Sequence, residues 1–253
     1  MSSSVSIWEI LQMIEKFRKV YPVTKKSYTF IDLTNVGTPR YGAGAFIYNN
    51  KLYLVGGIVS NKVTTVIEMI DLETLEREYP QYLPEGRAHF GFGFVNGKFY
   101  IIGGVGIDSV PKNDIYEYDP STNTITKKSA TLPKGVAYCG SVVLNDKIYV
   151  IGGIDDEGNI LSNTYEYDLS SDTVTQKASL NVARQNLACG EINGKIYCFG
   201  GDDGSSRLDV IEKYDPDTDT WETLTIKLPE ALSGLKATKI VIDSKEYILL
   251  AGG

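Results

Sequence analysis

The stretch NGKFYIIGG, from Asn96 to Gly104, decides the fold because it joins a tight turn to an apolar strand that ends on two glycines. Asn-Gly accepts the positive φ angles of a two-residue hairpin turn, and FYII is typical of a short buried strand. Similar stretches recur along the chain at spacings of 47, 49, 48 and 52 residues. Their glycine pairs are Gly56-Gly57, Gly103-Gly104, Gly152-Gly153, Gly200-Gly201 and Gly252-Gly253, and their turn lysines are Lys51, Lys98, Lys147, Lys195 and Lys245.

Each complete repeat predicts four short strands. An apolar segment with small residues precedes the turn, the strand before the glycine pair follows it, and a third strand ends on an aspartate. In three of these repeats a turn that this aspartate opens leads into a Thr-rich fourth strand. The aspartates are Asp71, Asp119, Asp168 and Asp215. Four antiparallel strands repeated at this period predict an all-β protein, a β-propeller of five four-stranded blades.

The repeat boundaries predict a single propeller domain over residues 1–253. Complete blades are expected at 40–80, 87–133, 135–180 and 184–228, and residues 234–253 form the first two strands of the last blade. Residues 13–33 are expected to complete that blade, because MIEKF at 13–17 resembles VIEKY at 210–214 and closure removes an open sheet edge. Residues 1–12 predict a short helix or loop, and an apolar stripe at helical spacing competes with the strand interpretation up to Phe17.

The sequence resembles the kelch-repeat family. The resemblance rests on the double glycine, on the late Trp221, and on a tyrosine three residues before four of the glycine pairs. Those tyrosines are Tyr53, Tyr100, Tyr149 and Tyr197. It covers almost the whole chain and implies a kelch-type propeller, a fold that serves both binding and catalysis.

Composition restricts the classes of partner and the location. A net charge of -7 argues against general affinity for nucleic acid or an anionic membrane, which both require clustered basic residues. The N-terminal sequence lacks the features of a signal peptide. The three cysteines, Cys139, Cys189 and Cys198, predict reduced thiols in a cytoplasmic protein.

One repeat position predicts a binding surface. Eleven residues before the turn lysines stand Arg40, Arg87, Val136, Arg184 and Gly234, so three arginines would surround one mouth of the channel. Guanidinium groups match carboxylates, so the ligand would be an acidic peptide or a small anion such as a sugar acid. Alternatively, the arginines bridge acidic loops and bind nothing. The candidate ligand-binding residues are Arg40, Tyr41, Arg87, Arg184, Asn186, Asp155, Asp156, Asp202 and Asp203.

The sequence contains no assembled catalytic or cofactor motif. His89 is the single histidine, which excludes a copper centre of the galactose oxidase type because such a centre needs more than one. A Ser-His-Asp relay would have to use His89. Asp155-Asp156 and Asp202-Asp203 could bind Ca²⁺, although acidic loops of this kind are usually solvated. We therefore expect no metal and no cofactor.

Three functions remain open from the sequence. The first is a non-catalytic protein- or peptide-interaction module that binds through the loops at the channel mouth, because long variable loops project from a rigid frame. The second is an enzyme resembling the kelch sialic acid mutarotases, acting on a small anionic sugar in the same mouth. The third is an isolated or engineered scaffold without a ligand.

Overall fold

The computed structural model describes residues 37–253, and all regular structure in this range is β-strand. No helix that could cross a membrane occurs between Gly37 and Gly253. The predictions for residues 1–12 and 13–33 lie outside the described residues.

The strands group into repeated sheets. In the first repeat they are β1 (Gly44–Tyr48), β2 (Lys51–Val55), β3 (Ile58–Val59), β4 (Lys62–Val63), β5 (Val66–Asp71) and β6 (Arg77–Tyr82). In the second they are β7 (Gly91–Val95), β8 (Lys98–Ile102), β9 (Asp114–Asp119) and β10 (Thr124–Thr131). In the third they are β11 (Val136–Ala137), β12 (Gly140–Leu144), β13 (Lys147–Ile151), β14 (Ile154–Asp155), β15 (Thr164–Asp168) and β16 (Thr173–Lys177). The remaining strands are β17 (Ala188–Ile192), β18 (Lys195–Phe199), β19 (Ile211–Asp215), β20 (Thr220–Thr223), β21 (Lys236–Ile242) and β22 (Lys245–Ala251).

Four antiparallel sheets of four strands form the first four blades of a β-propeller. Their strand orders are β1-β2-β5-β6, β7-β8-β9-β10, β12-β13-β15-β16 and β17-β18-β19-β20. The innermost strands of successive sheets pack on one another, β7 on β12, β12 on β17 and β17 on β21. Strands β21 and β22 form a further two-stranded sheet. The kelch-type propeller fold expected from the sequence is thus present, while five blades remains a prediction.

The hydrophobic core lies between neighbouring sheets. The cluster between the first two blades contains Phe46, Val55 and Ile67 from one sheet and Phe99 and Ile101 from the next. Equivalent clusters follow between the second and third, third and fourth, and fourth and fifth sheets. Each sheet therefore depends on its neighbours for burial of its faces.

The predicted turns have the expected backbone conformation. Both residues of each inner hairpin turn have positive φ, as in Asn96 (51°) and Gly97 (77°). The aspartate after each third strand accepts a hydrogen bond from the backbone N–H two residues on, as Asp168 does from Ser170 at 2.9 Å. These side chains fix the turn into the fourth strand.

The glycine pairs join each blade to the next. Gly103 has φ of 64°, and a Cβ there would lie 2.4 Å from the carbonyl oxygen of Val136 at the entry to the third blade. The N–H of Gly104 donates to that same oxygen at 2.8 Å. The other described junctions repeat this bond: Gly57 to Arg87 at 2.7 Å, Gly153 to Arg184 at 2.9 Å and Gly201 to Leu232 at 2.8 Å. The strand ends on two glycines because the next blade passes where a side chain would begin.

The prediction of three reduced thiols is wrong for one pair. Cys189 and Cys198 form a disulfide, and Cys139 is free. The pair lies directly opposite in the β17–β18 register with Cα atoms 4.3 Å apart. The sequence held this signal, because the two cysteines are equidistant from the Asn193-Gly194 turn. The cytoplasmic location loses one of its supports and stays a prediction.

The junction glycine should tolerate no side chain. We expect Gly103→Ala to destabilise the protein by at least about 3 kcal/mol, since it adds a backbone clash to an unfavourable φ. Urea unfolding would measure this. The matched control is Gly158→Ala, where φ is 86° but no atom lies within 4 Å, so only about 1 to 2 kcal/mol is expected. Equal losses would show that the junction contact is unimportant.

Closure of the last blade by residues 13–33 can be tested by hydrogen exchange. Among the described residues β22 pairs only with β21, so its outward N–H groups would exchange quickly if the edge were open. We expect them to exchange slowly in the full chain. The internal control is the outer strand β20, whose outward groups should exchange quickly. Equally fast exchange in both strands would contradict closure.

Candidate functional site

The three predicted arginines do not surround the channel mouth. Arg87 is 1% exposed, Arg184 is fully buried, and the Arg40 side chain is 5% exposed. Each meets an acidic side chain of its own repeat. The pairs are Arg40 with Glu68, Arg87 with Glu85 at 2.8 Å and Asp114 at 2.7 Å, and Arg184 with Glu212 at 3.4 Å. Because these guanidinium groups are buried against carboxylates, the geometry favours structural ion pairs over ligand binding. In the Arg184 pair the contact is an ion contact alone, since none of the three guanidinium nitrogens has a hydrogen-bond partner among the described residues.

The carboxylates explain why the arginines turn inward. Glu212 on β19 also accepts backbone N–H groups of Asn181 and Val182, at 2.8 and 3.1 Å, in the segment that leads into the fourth blade. Glu68 on β5 does the same for Thr38 in the first blade. The partners are therefore the third-strand carboxylates Glu68, Asp114 and Glu212, with Glu85 in addition, instead of the acidic loops that the sequence suggested.

In the fifth repeat, the residue equivalent to Arg40, Arg87 and Arg184 is Leu232, and not Gly234 as the sequence predicted. The carbonyl of Leu232 accepts the N–H of Gly201, as the carbonyls of Arg87 and Arg184 accept the equivalent glycines. Counting back from Lys245 missed this by two residues because β21 and β22 are seven residues long, against five in the other inner hairpins.

A belt of left-handed residues encircles the described part of the channel mouth. Its members are Gly42, His89, Tyr138, Asn186 and Gly234, with φ of 65°, 53°, 55°, 53° and 83°. From the second member on, each N–H donates to the carbonyl of the member before it, beginning with His89 to Gly42 at 2.8 Å and ending with Gly234 to Asn186 at 2.8 Å. Backbone hydrogen bonds thus place one residue of each repeat at the mouth, and three of these residues, His89, Tyr138 and Asn186, carry a side chain there.

A cavity of about 380 Å³ opens beside this belt. It spans the first three blades, and its walls come from the blade-joining segments and the loops after the glycine pairs, the face predicted from the sequence. Tyr41, Asp155 and Asp156 of the predicted set line it. Tyr138 also lines it and was not predicted, although it stands nine residues before a turn lysine, as His89 and Asn186 do.

Asp155 shapes one wall of this cavity. Its carboxylate is buried and accepts the Lys134 ammonium at 2.7 Å and the N–H groups of Glu157 and Asn159 at 3.0 and 2.7 Å. Burial raises the pKa of Asp155, but these hydrogen bonds outweigh it and lower the pKa to about 2. Asp156, the next residue, is exposed.

The other predicted acidic residues lie apart from the cavity. Asp202 accepts hydrogen bonds from Gln185, Asn186 and Ser233, at 3.0, 3.2 and 2.8 Å, and so links the fourth blade to the fifth. Asp203 is exposed and accepts only backbone N–H groups of its own loop. Within residues 37–253 no three side chains of His, Cys, Asp or Glu come together as a metal-binding group.

His89 lies between two aromatic rings of the mouth. Its ring stacks on Tyr138 at 4.1 Å and lies 5.9 Å from Tyr41. Burial and, to a lesser degree, the positive charge of Lys236 together lower the pKa of His89 to about 4. The imidazole is therefore uncharged near neutral pH and adds flat apolar surface to the mouth.

The buried pair in the fourth blade should be structural. We expect Glu212→Gln to destabilise the protein by about 3 to 5 kcal/mol, because it leaves the buried Arg184 charge without its counter-ion. Urea unfolding measures the loss. The control is Glu222→Gln in the same blade, whose side chain is 61% exposed and where at most about 1 kcal/mol is expected. A negligible loss at Glu212 would reopen a binding role for Arg184.

The titration of His89 can be followed without assignment, because it is the single histidine. We expect its Cε1–H NMR signal to titrate near pH 4 in the folded protein, against 6.5 for a solvated histidine. Since folding favours the neutral ring, this stabilisation is present above about pH 6.5 and is lost as pH falls toward 4. Lys236→Gln should raise the midpoint. A midpoint near 6.5 would place the ring in solvent.

Comparison with known proteins matches the repeat pattern to existing families. A model described as the KLHDC2/KLHL20/DRC7 Kelch-repeats domain matches residues 15–176, and the Kelch motif matches residues 183–226. F-box/kelch-repeat protein At1g67480 of Arabidopsis thaliana is 52% identical over 46 residues, 17% of this chain and 12% of the relative. F-box/kelch-repeat protein At4g39580 of Arabidopsis thaliana is 32% identical over 75 residues, 30% of this chain and 20% of the relative.

These matches span at most a fifth of those relatives' length. A solved structure described as "Structure of YjhT" superposes with a TM-score of 0.67 at 19% identity, covering 81% of this chain and 71% of that one. At this identity the likeness concerns the fold.

Proposed function

Because the chain belongs to the kelch-repeat family, we propose that it is a non-catalytic module that binds a protein or peptide through the loops at the channel mouth. The observation that carries the proposal is the cavity across three blades on this face, lined by loops and by the exposed Tyr41. Pockets of this kind, in which aromatic and apolar surface is combined with a few polar groups, suit recognition.

Exposed apolar side chains beside the cavity support the proposal. Ile107, 77% exposed, and Val110, 42% exposed, project from the loop after the second glycine pair. Tyr41 is 55% exposed at the cavity itself. Exposed apolar and aromatic side chains close to a pocket are the groups that commonly anchor protein interfaces.

The buried ion pairs change the expected chemistry of the partner. The arginines that would have gripped an acidic peptide or a sugar acid are engaged with Glu68, Asp114 and Glu212. This weakens the alternative of an enzyme resembling the sialic acid mutarotases. The place of His89 beside the mouth keeps that alternative testable. Faster equilibration of N-acetylneuraminic acid anomers by NMR, lost in His89→Gln, would favour the enzyme.

The loop face can be tested with peptides selected from a random display library against the whole protein. We expect Ile107→Glu to weaken the selected peptides by about tenfold, as for a central interface residue. The matched control is Ile47→Glu, an isoleucine 60% exposed near the opposite end of β1, which should leave affinity unchanged. Equal effects of the two substitutions, or peptides that bind elsewhere, would contradict the proposal.

A further inference from the structure

The cavity at the channel mouth carries negative charge and aromatic surface together. Its lining includes the rings of Tyr41 and Tyr138, apolar contacts from Val105 and Ile154, and the two aspartates. No lysine or arginine is among its lining residues. A ligand that fills it must therefore offer an apolar stem and suit acidic surroundings.

The two aspartates differ in how much charge they leave for a ligand. Asp155 is buried and paired with Lys134, so its charge is balanced within the protein. Asp156 is exposed at the cavity and makes no ion pair or side-chain hydrogen bond with another described residue. Its carboxylate is the group that a ligand would meet.

None of the neighbouring cations lines the cavity, including the exposed Lys62, which stands between the lining residues Asn61 and Val63. Lys112, in the loop of the second blade, is bound to Asp108 at 2.6 Å and lies 3.5 Å from Glu85. Lys236 acts on His89 but does not line the cavity. His89, which lies between Tyr41 and Tyr138, is uncharged near pH 7 because burial lowers its pKa. The cavity is therefore complementary to a positive charge.

We propose that this cavity receives an arginine or lysine side chain from a segment of the partner protein, held against Tyr41 and Tyr138 with its charge directed to Asp156. The inference rests on the proposed interaction function and gives the partner's chemistry. Cation–π contact with tyrosine and attraction to a carboxylate are the two interactions that a long basic side chain makes at once. It replaces the acidic peptide expected from the sequence.

The test uses the whole protein and a capped pentapeptide, Gly-Gly-Arg-Gly-Gly, titrated while backbone amide NMR signals are followed. Two matched peptides carry citrulline, a neutral isostere of arginine, or glutamate at the centre. We expect saturable shifts at the cavity residues with arginine, about fivefold weaker binding with citrulline, and none with glutamate. Equal binding of the arginine and citrulline peptides, preference for glutamate, or no shift at the cavity would overturn the inference.

Variants locate the effect in the cavity. Asp156→Asn should weaken the arginine peptide about twofold to fivefold, and Tyr41→Ala about threefold. The charge-matched control is Asp146→Asn in an inner hairpin turn of the other face, which should leave affinity unchanged. An equal effect of Asp146→Asn would show that the attraction comes from the net charge of the protein, and would overturn the site.

Two further outcomes separate this inference from the proposed function. Library peptides that require Ile107 but contain no basic residue, and that ignore Asp156→Asn, would leave the loop face as an interface and overturn the basic side chain. Agmatine that binds as tightly as the arginine peptide would show that the flanking peptide groups contribute nothing. The cavity would then be a site for free amines instead of a protein segment.

Discussion

The structure depends on one backbone contact, repeated at each described junction between blades. The N–H of the second glycine of a pair donates to a carbonyl at the entry of the next blade. The same carbonyl lies so close to the first glycine that a Cβ on that glycine would clash with it. A displacement away from the next blade would weaken the bond, and a displacement toward it would create a clash. The contact therefore sets the spacing at which neighbouring sheets can bury their faces against each other.

The arginines belong to this same junction. The carbonyl that accepts the glycine N–H comes from Arg87 in one junction and from Arg184 in another. The side chain of the same residue turns the other way, to Asp114 or Glu212 of its own repeat. One residue thus ties the preceding blade through its backbone and its own blade through its side chain. A buried charge at this point is costly unless its partner is placed well, which makes the pair demanding on the geometry around it.

The sequence predicted the features that depend on spacing along the chain. Turn residues such as Asn96-Gly97, the strand ends marked by Asp168 and its equivalents, and the double glycines follow from local backbone preferences. The sequence did not predict features that depend on the direction in which a side chain points. The spacing placed Arg184 at the blade entry correctly but could not say whether its side chain faced the channel or Glu212. Two extra residues in the last hairpin also hid the equivalence of Leu232.

For the cavity, the sequence predicted only the loop face of the propeller, and not the cavity itself. Tyr41 and Asp156 come from the first and third repeats and line one cavity because the sheet between them has a set width, which depends on the packing of many side chains. The disulfide was within reach of the sequence, because the register of a hairpin follows from its turn.

The belt of left-handed residues separates the shape of the mouth from its chemistry. Its hydrogen bonds use main-chain groups alone, so the five members share one geometry although they are two glycines, a histidine, a tyrosine and an asparagine. The three members that are not glycine adopt a conformation that costs about 1 kcal/mol. The entrance can therefore exchange its recognition groups during evolution without rebuilding the frame. Propellers alike in every strand can for this reason differ completely in what they recognise.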